Sequence, residues 1–133
     1  MGSGLEDIRI PDDGGRPNKR ALIVAAHPDD PEFGVAGTAA LWVRDGWEVY
    51  YLICTDGSKG SDDPAMTADK LVPQRREEQR AAVRVLGGKD VFFLDYVDGE
   101  LTYTREFARD VVRAIRTIRP HAVFTSDPNQ IVR

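Results

Sequence analysis

His27, Asp29 and Asp30 follow directly on an aliphatic run, in the stretch AAHPDDPEFG (25–34). Imidazole nitrogen and carboxylate oxygen are common zinc ligands, and a short turn can bring His27 and Asp30, three residues apart, onto one cation. The side chain of the neighbouring Asp29 should diverge from that metal, which leaves it able to act as a general base on a water molecule whose pKa the metal lowers to about 7. The alternative is that one aspartate caps the next helix while His27 merely ends a strand.

The composition is that of one globular domain. The chain has 133 residues, of which 41% are hydrophobic and 30% charged. Its net charge of −4 offers no basic surface for nucleic acid, and no apolar run reaches the about 20 residues of a membrane span. Cys54 is the only cysteine, so an intrachain disulfide is excluded, which fits a cytoplasmic protein. We interpret residues 1–18 as a flexible leader.

The hydrophobic pattern predicts alternating strands and helices. Apolar residues on consecutive positions are typical of strands buried on both faces, and helices are indicated by apolar residues that recur on one helical face. The alternation predicts an α/β fold, a Rossmann-like three-layer sandwich with a mainly parallel sheet and the first strand inside it. The predicted strands are 20–26, 47–55, 90–95 and 121–126, and the predicted helices are 35–45, 74–86 and 105–118.

One proline bears on where the second helix begins. Pro73 lacks the N–H that a helix interior requires, but with Asp69 as the N-cap it would fall in the first turn, where that loss costs little.

Polar segments follow the predicted strands, and parallel strands place such segments at one edge of the sheet. Ligands of open α/β sheets bind outside this carboxyl edge. The segments are 27–32, 55–61, 95–98 and 126–127. We therefore expect the functional site there.

Several of these stretches together resemble the LmbE/PIG-L family of zinc-dependent de-N-acetylases. AAHPDDPEFGVAGTAA is similar to the family's first motif, A-H-P-D-D-x-E, and four further stretches match in the family's order. They are CTDGSKGS, RREEQRAAVRVLG, FLDYVDGEL and PHAVFTSDP. The resemblance implies that 19–133 is the N-terminal portion of a LmbE-like deacetylase domain.

The resemblance also implies roles for individual residues. His27 and Asp30 correspond to zinc ligands, Asp29 to the general base, and Arg75 and Asp98 to residues near the substrate. From the residues alone, Arg75 could equally belong to a solvated helix face, and Asp98 to an Asp-Gly turn. The implied cofactor is Zn²⁺, with other divalent metals left open, and the implied substrate is an N-acetylated glucosamine conjugate or a similar amide.

The sequence departs from the family in one respect. The family's second histidine motif, H-x-x-H, supplies a third zinc ligand, and this chain reaches SDPNQIVR without it. A catalytic zinc normally has three protein ligands. His121, the other histidine, opens a predicted strand and should lie at the opposite edge of the sheet. We therefore expect the sequence to be the N-terminal part of a longer polypeptide.

The sequence thus predicts a zinc-dependent amide hydrolase that acts on a small N-acetylated sugar conjugate. Two alternatives remain at this point: a nucleotide- or sugar-phosphate-binding α/β domain, and an inactive fragment that lacks the third zinc ligand. The sequence lacks the G-x-G-x-x-G motif after the first strand that would support the nucleotide-binding alternative. A homo-oligomer is left open.

Overall fold

The structure, a computed structural model, describes residues 18–28, 35–127 and 129. Strands and helices alternate along this part of the chain, as predicted. They are β1 (Arg20–Ala25), α1 (Ala36–Arg44), β2 (Glu48–Thr55), α2 (Ala68–Leu86), β3 (Asp90–Tyr96), α3 (Arg105–Ile118) and β4 (Ala122–Phe124). The predicted leader, residues 1–18, lies outside the described residues except for Asn18 and stays a prediction.

The four strands form one sheet in the order β3-β2-β1-β4, and all three pairings are parallel. Strand β1 is inside the sheet, which confirms the expectation drawn from its unbroken apolar sequence. Six consecutive residue pairs join β1 to β2, whereas only three join β1 to β4. The carboxyl ends of β1, β2 and β3 consequently lie side by side.

Side chains alternate between the two faces of the sheet and build two cores. Ile23, Tyr51 and Phe93 point to the face that α1 and α2 cover, where they pack with Ala39 and Val83. The neighbouring residues along the strands point to the other face and pack against α3. They include Leu22, Leu52, Cys54 and Leu94, which pack with Ala114 and Ile118 of α3. The result is the predicted three-layer α/β sandwich.

The prediction for the start of α2 was wrong. The helix begins at Ala68 rather than at Gln74, and its N-cap is Thr67 rather than Asp69. Pro73 is therefore the sixth helical residue, beyond the first turn, and the helix lacks the hydrogen bond that residue 73 would donate to the carbonyl of Asp69. Thr and Asp are both favoured N-caps, so the sequence could not separate them. Asp69 instead places a carboxylate in the first turn, where the helix dipole favours it.

Glycine and threonine set the ends of two helices. Gly87 ends α2 in the left-handed conformation, at φ +78°. Thr104 caps α3, because its hydroxyl oxygen accepts a hydrogen bond from the Phe107 amide at 3.1 Å. Both ends agree with the predicted helix limits, and they hold the segments that lead into β3 and out of it.

Candidate functional site at the carboxyl edge of the sheet

His27 and Asp98 meet at the carboxyl edge, although they follow different strands. The distance between His27 Nε2 and Asp98 Oδ1 is 3.0 Å. The imidazole side chain is 47% exposed, whereas the carboxylate side chain is 11% exposed. The structure therefore joins two of the predicted site residues directly, one facing solvent and one buried behind it.

The main chain around Asp98 forms the Asp-Gly turn that the sequence allowed. The Glu100 amide donates to the Val97 carbonyl at 3.1 Å, and Gly99 has a φ of +78°, which favours glycine. The same residue thus forms the turn and contacts His27, and its place near the substrate stays a prediction.

Asp56, which the sequence analysis did not single out, ties the loops after β2 and β3 together. Its Oδ1 atom accepts hydrogen bonds from the Ser58 amide at 2.9 Å and from the Asp98 amide at 3.2 Å. The Lys59 amide in turn donates to Asp98 Oδ2 at 3.0 Å. The signal that could have identified Asp56 is its position as the first polar residue after β2.

The loop after β2 also packs against Pro28 of the first motif. A Cβ atom on Gly57 would lie 3.0 Å from Pro28 Cδ, and Gly57 has a φ of +67°. A side chain here would therefore clash with Pro28 and would require a strained backbone. The close approach holds the segment after β1 against the segment after β2.

Arg75 lies on α2 beside this loop. Its Nη1 atom is 3.1 Å from Glu78 Oε2, and its Nη2 atom donates to the Gly60 carbonyl at 3.5 Å. The Arg and Glu of the R-x-x-E stretch are thus an ion pair one helical turn apart. The side chain is 30% exposed and reaches the rim of the site.

Arg76, the next residue, was missed by the sequence analysis. It forms an ion pair with Asp95 at the end of β3, and its guanidinium lies 5.1 Å from the centre of the Phe93 ring. Burial lowers the pKa of Arg76, and nearby Arg80 lowers it further. The signal was helical periodicity: residue 76 lies on the same face as the buried residues Gln79 and Val83.

Two other residues carry side chains that can bind metals, His121 and Cys54. His121 is at the opposite edge of the sheet, where its Nδ1 atom accepts a hydrogen bond from the Arg20 amide at 3.0 Å. Cys54 is 3% exposed, and burial raises the pKa of its thiol to about 11. A protonated, buried thiol is a poor nucleophile and metal ligand, which agrees with a core role.

Asp29 and Asp30 lie outside the described residues, so their predicted roles stay predictions. Among the residues that the structure does describe, no cluster of three or more His, Cys, Asp or Glu side chains is arranged to hold a metal ion. One predicted ligand, His27, is described, and its ring contacts a carboxylate. Histidines that bind metals usually make this contact with their second ring nitrogen, so His27 fits the predicted donor set.

The loop after β2 does not offer a phosphate cradle. Phosphate-binding loops direct free backbone amides at the ligand. Here the Ser58 amide donates to Asp56 and the Lys59 amide to Asp98. Two of the amides that would hold a phosphate already point at carboxylates, which argues against the nucleotide-binding alternative.

A separate groove of about 550 Å³ runs along the outer face of α3. Its lining includes Tyr103, Arg109 and Arg116, and it contains none of the predicted site residues. The carboxyl edge of the sheet, and not this groove, is therefore the candidate functional site.

The sequence of this α/β domain matches a known protein family. The PIG-L family, described as GlcNAc-PI de-N-acetylase, matches residues 22–133, and the chain belongs to it.

Curated relatives support the same assignment. The chain is 39% identical to diacetylchitobiose deacetylase of Thermococcus kodakarensis, over 83% of this chain and 41% of the relative. It is 35% identical to the 1D-myo-inositol 2-acetamido-2-deoxy-α-D-glucopyranoside deacetylase of Rhodococcus erythropolis, over 84% of this chain and 46% of the relative. The chain thus spans less than half the length of these two relatives.

Solved structures share the fold. N,N′-diacetylchitobiose deacetylase from Pyrococcus horikoshii superimposes with a TM-score of 0.81 at 37% identity, covering 84% of this chain and 42% of that one. GalB, the 4-carboxy-2-hydroxymuconate hydratase from Pseudomonas putida, superimposes with a TM-score of 0.75 at 28% identity, covering 84% and 50%. The fold is therefore shared by proteins with different named activities.

None of the described helices is long and apolar enough to cross a membrane.

Proposed function

We propose that this chain belongs to a zinc-dependent hydrolase that removes the N-acetyl group from a glucosamine-containing conjugate or a similar amide. The observation that carries the proposal is the contact between His27 and the buried Asp98 at the carboxyl edge, in a chain whose relatives are named deacetylases. Zinc is the proposed cofactor, because its common ligands are those of the first motif.

The proposed roles follow the first motif. His27 and Asp30 would hold the zinc ion, and Asp29 would act as the general base. When bound, zinc supplies Lewis-acid activation for attack of water on an amide. Asp29 accepts a proton from the attacking water as oxygen bonds to the acetyl carbon, and the C–N bond then breaks to leave acetate and a free amine that takes up a proton.

Arg75 and Asp98 are the proposed substrate contacts. Arg75 presents a guanidinium at the rim, where its planar donors can bind the hydroxyls of a sugar or an anionic group of a conjugate. Among the described residues, Oδ1 of Asp98 contacts His27 and Oδ2 contacts the Lys59 amide. Each oxygen carries two lone pairs, so it can also accept a hydrogen bond from a sugar hydroxyl.

The proposed partner is a small N-acetylated sugar conjugate. The net charge of −4 gives no reason to expect nucleic acid. We propose a cytoplasmic location, since the one cysteine is a buried thiol and forms no intrachain disulfide. Self-association is a further question that size-exclusion chromatography of the purified chain addresses.

The test is acetate release from N,N′-diacetylchitobiose and from an N-acetylglucosaminyl inositol, with excess zinc and with chelator. We expect zinc-dependent release. Turnover should be slow, because a catalytic zinc normally has three protein ligands and the first motif supplies two. The Asp29→Asn variant should lose activity by a factor on the order of 10² to 10⁴ while it binds zinc as before.

Glu100→Gln is the matched control, since it removes a carboxylate that is 66% exposed and lies 4.0 Å from Lys59. This variant should release acetate at the unaltered rate. No release at any zinc concentration, or full activity of Asp29→Asn, would contradict the proposal. Water addition to an unsaturated acid, with no amide cleavage, would instead point to the hydratase activity named for GalB.

A further inference from the structure

The contact between His27 and Asp98 determines which nitrogen of His27 carries a proton. A carboxylate only accepts hydrogen bonds, so the 3.0 Å contact from Nε2 to Asp98 Oδ1 requires a proton on Nε2. In the neutral imidazole the lone pair is then on Nδ1, and the lone pair is what a metal binds.

Asp98 is itself held by the loop after β2, through its amide and through one carboxylate oxygen. Its amide donates to Asp56 Oδ1 at 3.2 Å, and its Oδ2 atom accepts from the Lys59 amide at 3.0 Å. Gly99, the next residue, adopts a φ of +78° and completes the turn. These contacts leave Oδ1 directed at His27 and restrict rotation of the carboxylate.

Burial distinguishes this pair from an ordinary surface ion pair. Asp98 is 8% exposed as a residue, and a carboxylate is rarely buried to this extent unless it is paired. The ion pair of the neighbouring Lys59 and Glu100, by contrast, joins side chains that are more than half exposed. A buried carboxylate behind a half-exposed imidazole is the arrangement that orients a metal-binding histidine.

We propose that Asp98 is a positioning residue for His27, which keeps the proton on Nε2 and turns Nδ1 toward the cation. This inference rests on the proposed function and adds a second task to the predicted substrate contact. Asp56 contributes to this positioning, because its carboxylate accepts a hydrogen bond from the Asp98 amide.

The decisive readout is the tautomer of His27, measured by ¹⁵N NMR at about pH 8.5, where ordinary histidines are neutral. We expect the Nε2–H tautomer in the unaltered chain. In Asp98→Asn the amide oxygen can still accept from Lys59, which turns the amide NH₂ toward His27. That group only donates, so the proton should move to Nδ1.

His121 is an internal reference for the same spectrum. Its Nδ1 atom accepts from the Arg20 amide, so its proton is also on Nε2, and it lies at the opposite edge of the sheet. An unchanged His121 signal in Asp98→Asn shows that the fold is intact and that the change is confined to the site.

Zinc affinity, measured by competition with a fluorescent chelator, is the second readout. Asp98→Asn should bind zinc about 10- to 100-fold more weakly, the usual effect of losing an orienting partner. Glu100→Gln makes the same chemical change two residues away and should leave the affinity unaltered.

An Nδ1–H tautomer in the unaltered chain, or equal zinc affinities of Asp98→Asn and Glu100→Gln, would overturn the inference. The tautomer measurement needs neither metal nor substrate. The positioning role can therefore stand if the chain releases no acetate, and in that case only the proposed function fails.

Discussion

At the scale of single residues, the contacts of His27 and Arg75 explain what each can contribute. His27 is half-exposed and is held from behind by Asp98, which suits a group that binds a ligand from the solvent side. Arg75 is held by Glu78 and the Gly60 carbonyl at the rim, so its guanidinium is ordered before any substrate arrives. Preorganised charged groups lose less conformational entropy on binding.

Arg75 should therefore contribute to substrate affinity. We expect Arg75→Ala to weaken the binding of an N-acetylglucosamine conjugate by about tenfold, which corresponds to about 1.4 kcal/mol. Titration calorimetry with the unaltered chain and the variant measures this directly and needs no turnover.

Arg84 is the matched control for Arg75. It lies on the same helix and pairs with Glu77 at 3.1 Å, and its side chain is 64% exposed. Arg84→Ala should bind the conjugate as the unaltered chain does. If both variants bind alike, Arg75 belongs to a solvated helix face and not to the substrate site.

At the scale of elements, the connection from α2 to β3 sets where β3 begins and hence where its carboxyl end lies. Gly87 adopts a φ of +78° and its position lies close to Val43 on α1. The Gly88 amide then donates to the Val83 carbonyl at 2.8 Å, which completes the helix end. This compact connection seats α1 and α2 side by side on one face of the sheet.

A side chain at Gly87 should therefore destabilise the fold. Gly87→Ala would place a Cβ atom 2.9 Å from Val43 Cγ1 and would hold alanine in a left-handed conformation. We expect the free energy of unfolding to fall by about 1–2 kcal/mol. Urea denaturation followed by circular dichroism measures the change.

Gly37→Ala tests the same substitution where space is open. Gly37 lies in α1, and its Cβ would have no neighbour within 4 Å among the described residues. Alanine favours the helix over glycine, so this variant should be more stable by about 0.5 kcal/mol. Equal destabilisation by both substitutions would show that the position of Gly87 has no special role.

At the scale of the whole molecule, the core between the sheet and α3 includes the Cys54 thiol and the Tyr50 hydroxyl, which both ionise at alkaline pH. Burial raises the pKa of the Cys54 thiol from 9.0 to about 11. Burial, followed by the charge of Glu48, raises the pKa of the Tyr50 hydroxyl from 10.0 to about 12. Both groups keep their protons in the folded chain at pH values where the unfolded chain has lost them.

The free energy of unfolding should therefore fall in alkali. A group whose pKa is raised by folding stabilises the fold fully below its ordinary pKa and loses that contribution as pH rises to the folded pKa. For Cys54 this window runs from about pH 9 to about pH 11. Urea denaturation at pH 7.5, 9 and 10.5 should show a progressive decrease.

Cys54→Ala isolates the contribution of the thiol. The variant is less stable at every pH because it leaves a cavity, but its free energy of unfolding should decrease less steeply between pH 9 and 10.5. The part that remains belongs to Tyr50 and other groups. Parallel curves for the two proteins would show that the thiol does not contribute.

Local pattern determined most of the fold. Consecutive apolar residues indicated the strands, one-sided periodicity indicated the helices, and their alternation led to a parallel sheet with β1 inside. The start of α2 was missed because Thr67 and Asp69 are both favoured caps, and the choice depends on tertiary packing that the local sequence does not contain. Leu71, which is 2% exposed, anchors the added turn in the core.

The chemistry of the candidate site was also local, since the residue types and spacing of the first motif pointed to a metal and a base. The pairing of His27 with Asp98, the bridging role of Asp56 and the burial of Arg76 against Phe93 were decided only by the tertiary structure. These contacts join segments that are distant in sequence, and they form because parallel strands bring their carboxyl ends to one edge. Residue spacing describes what one segment can do, whereas the partner of each polar group depends on which loops the sheet places side by side.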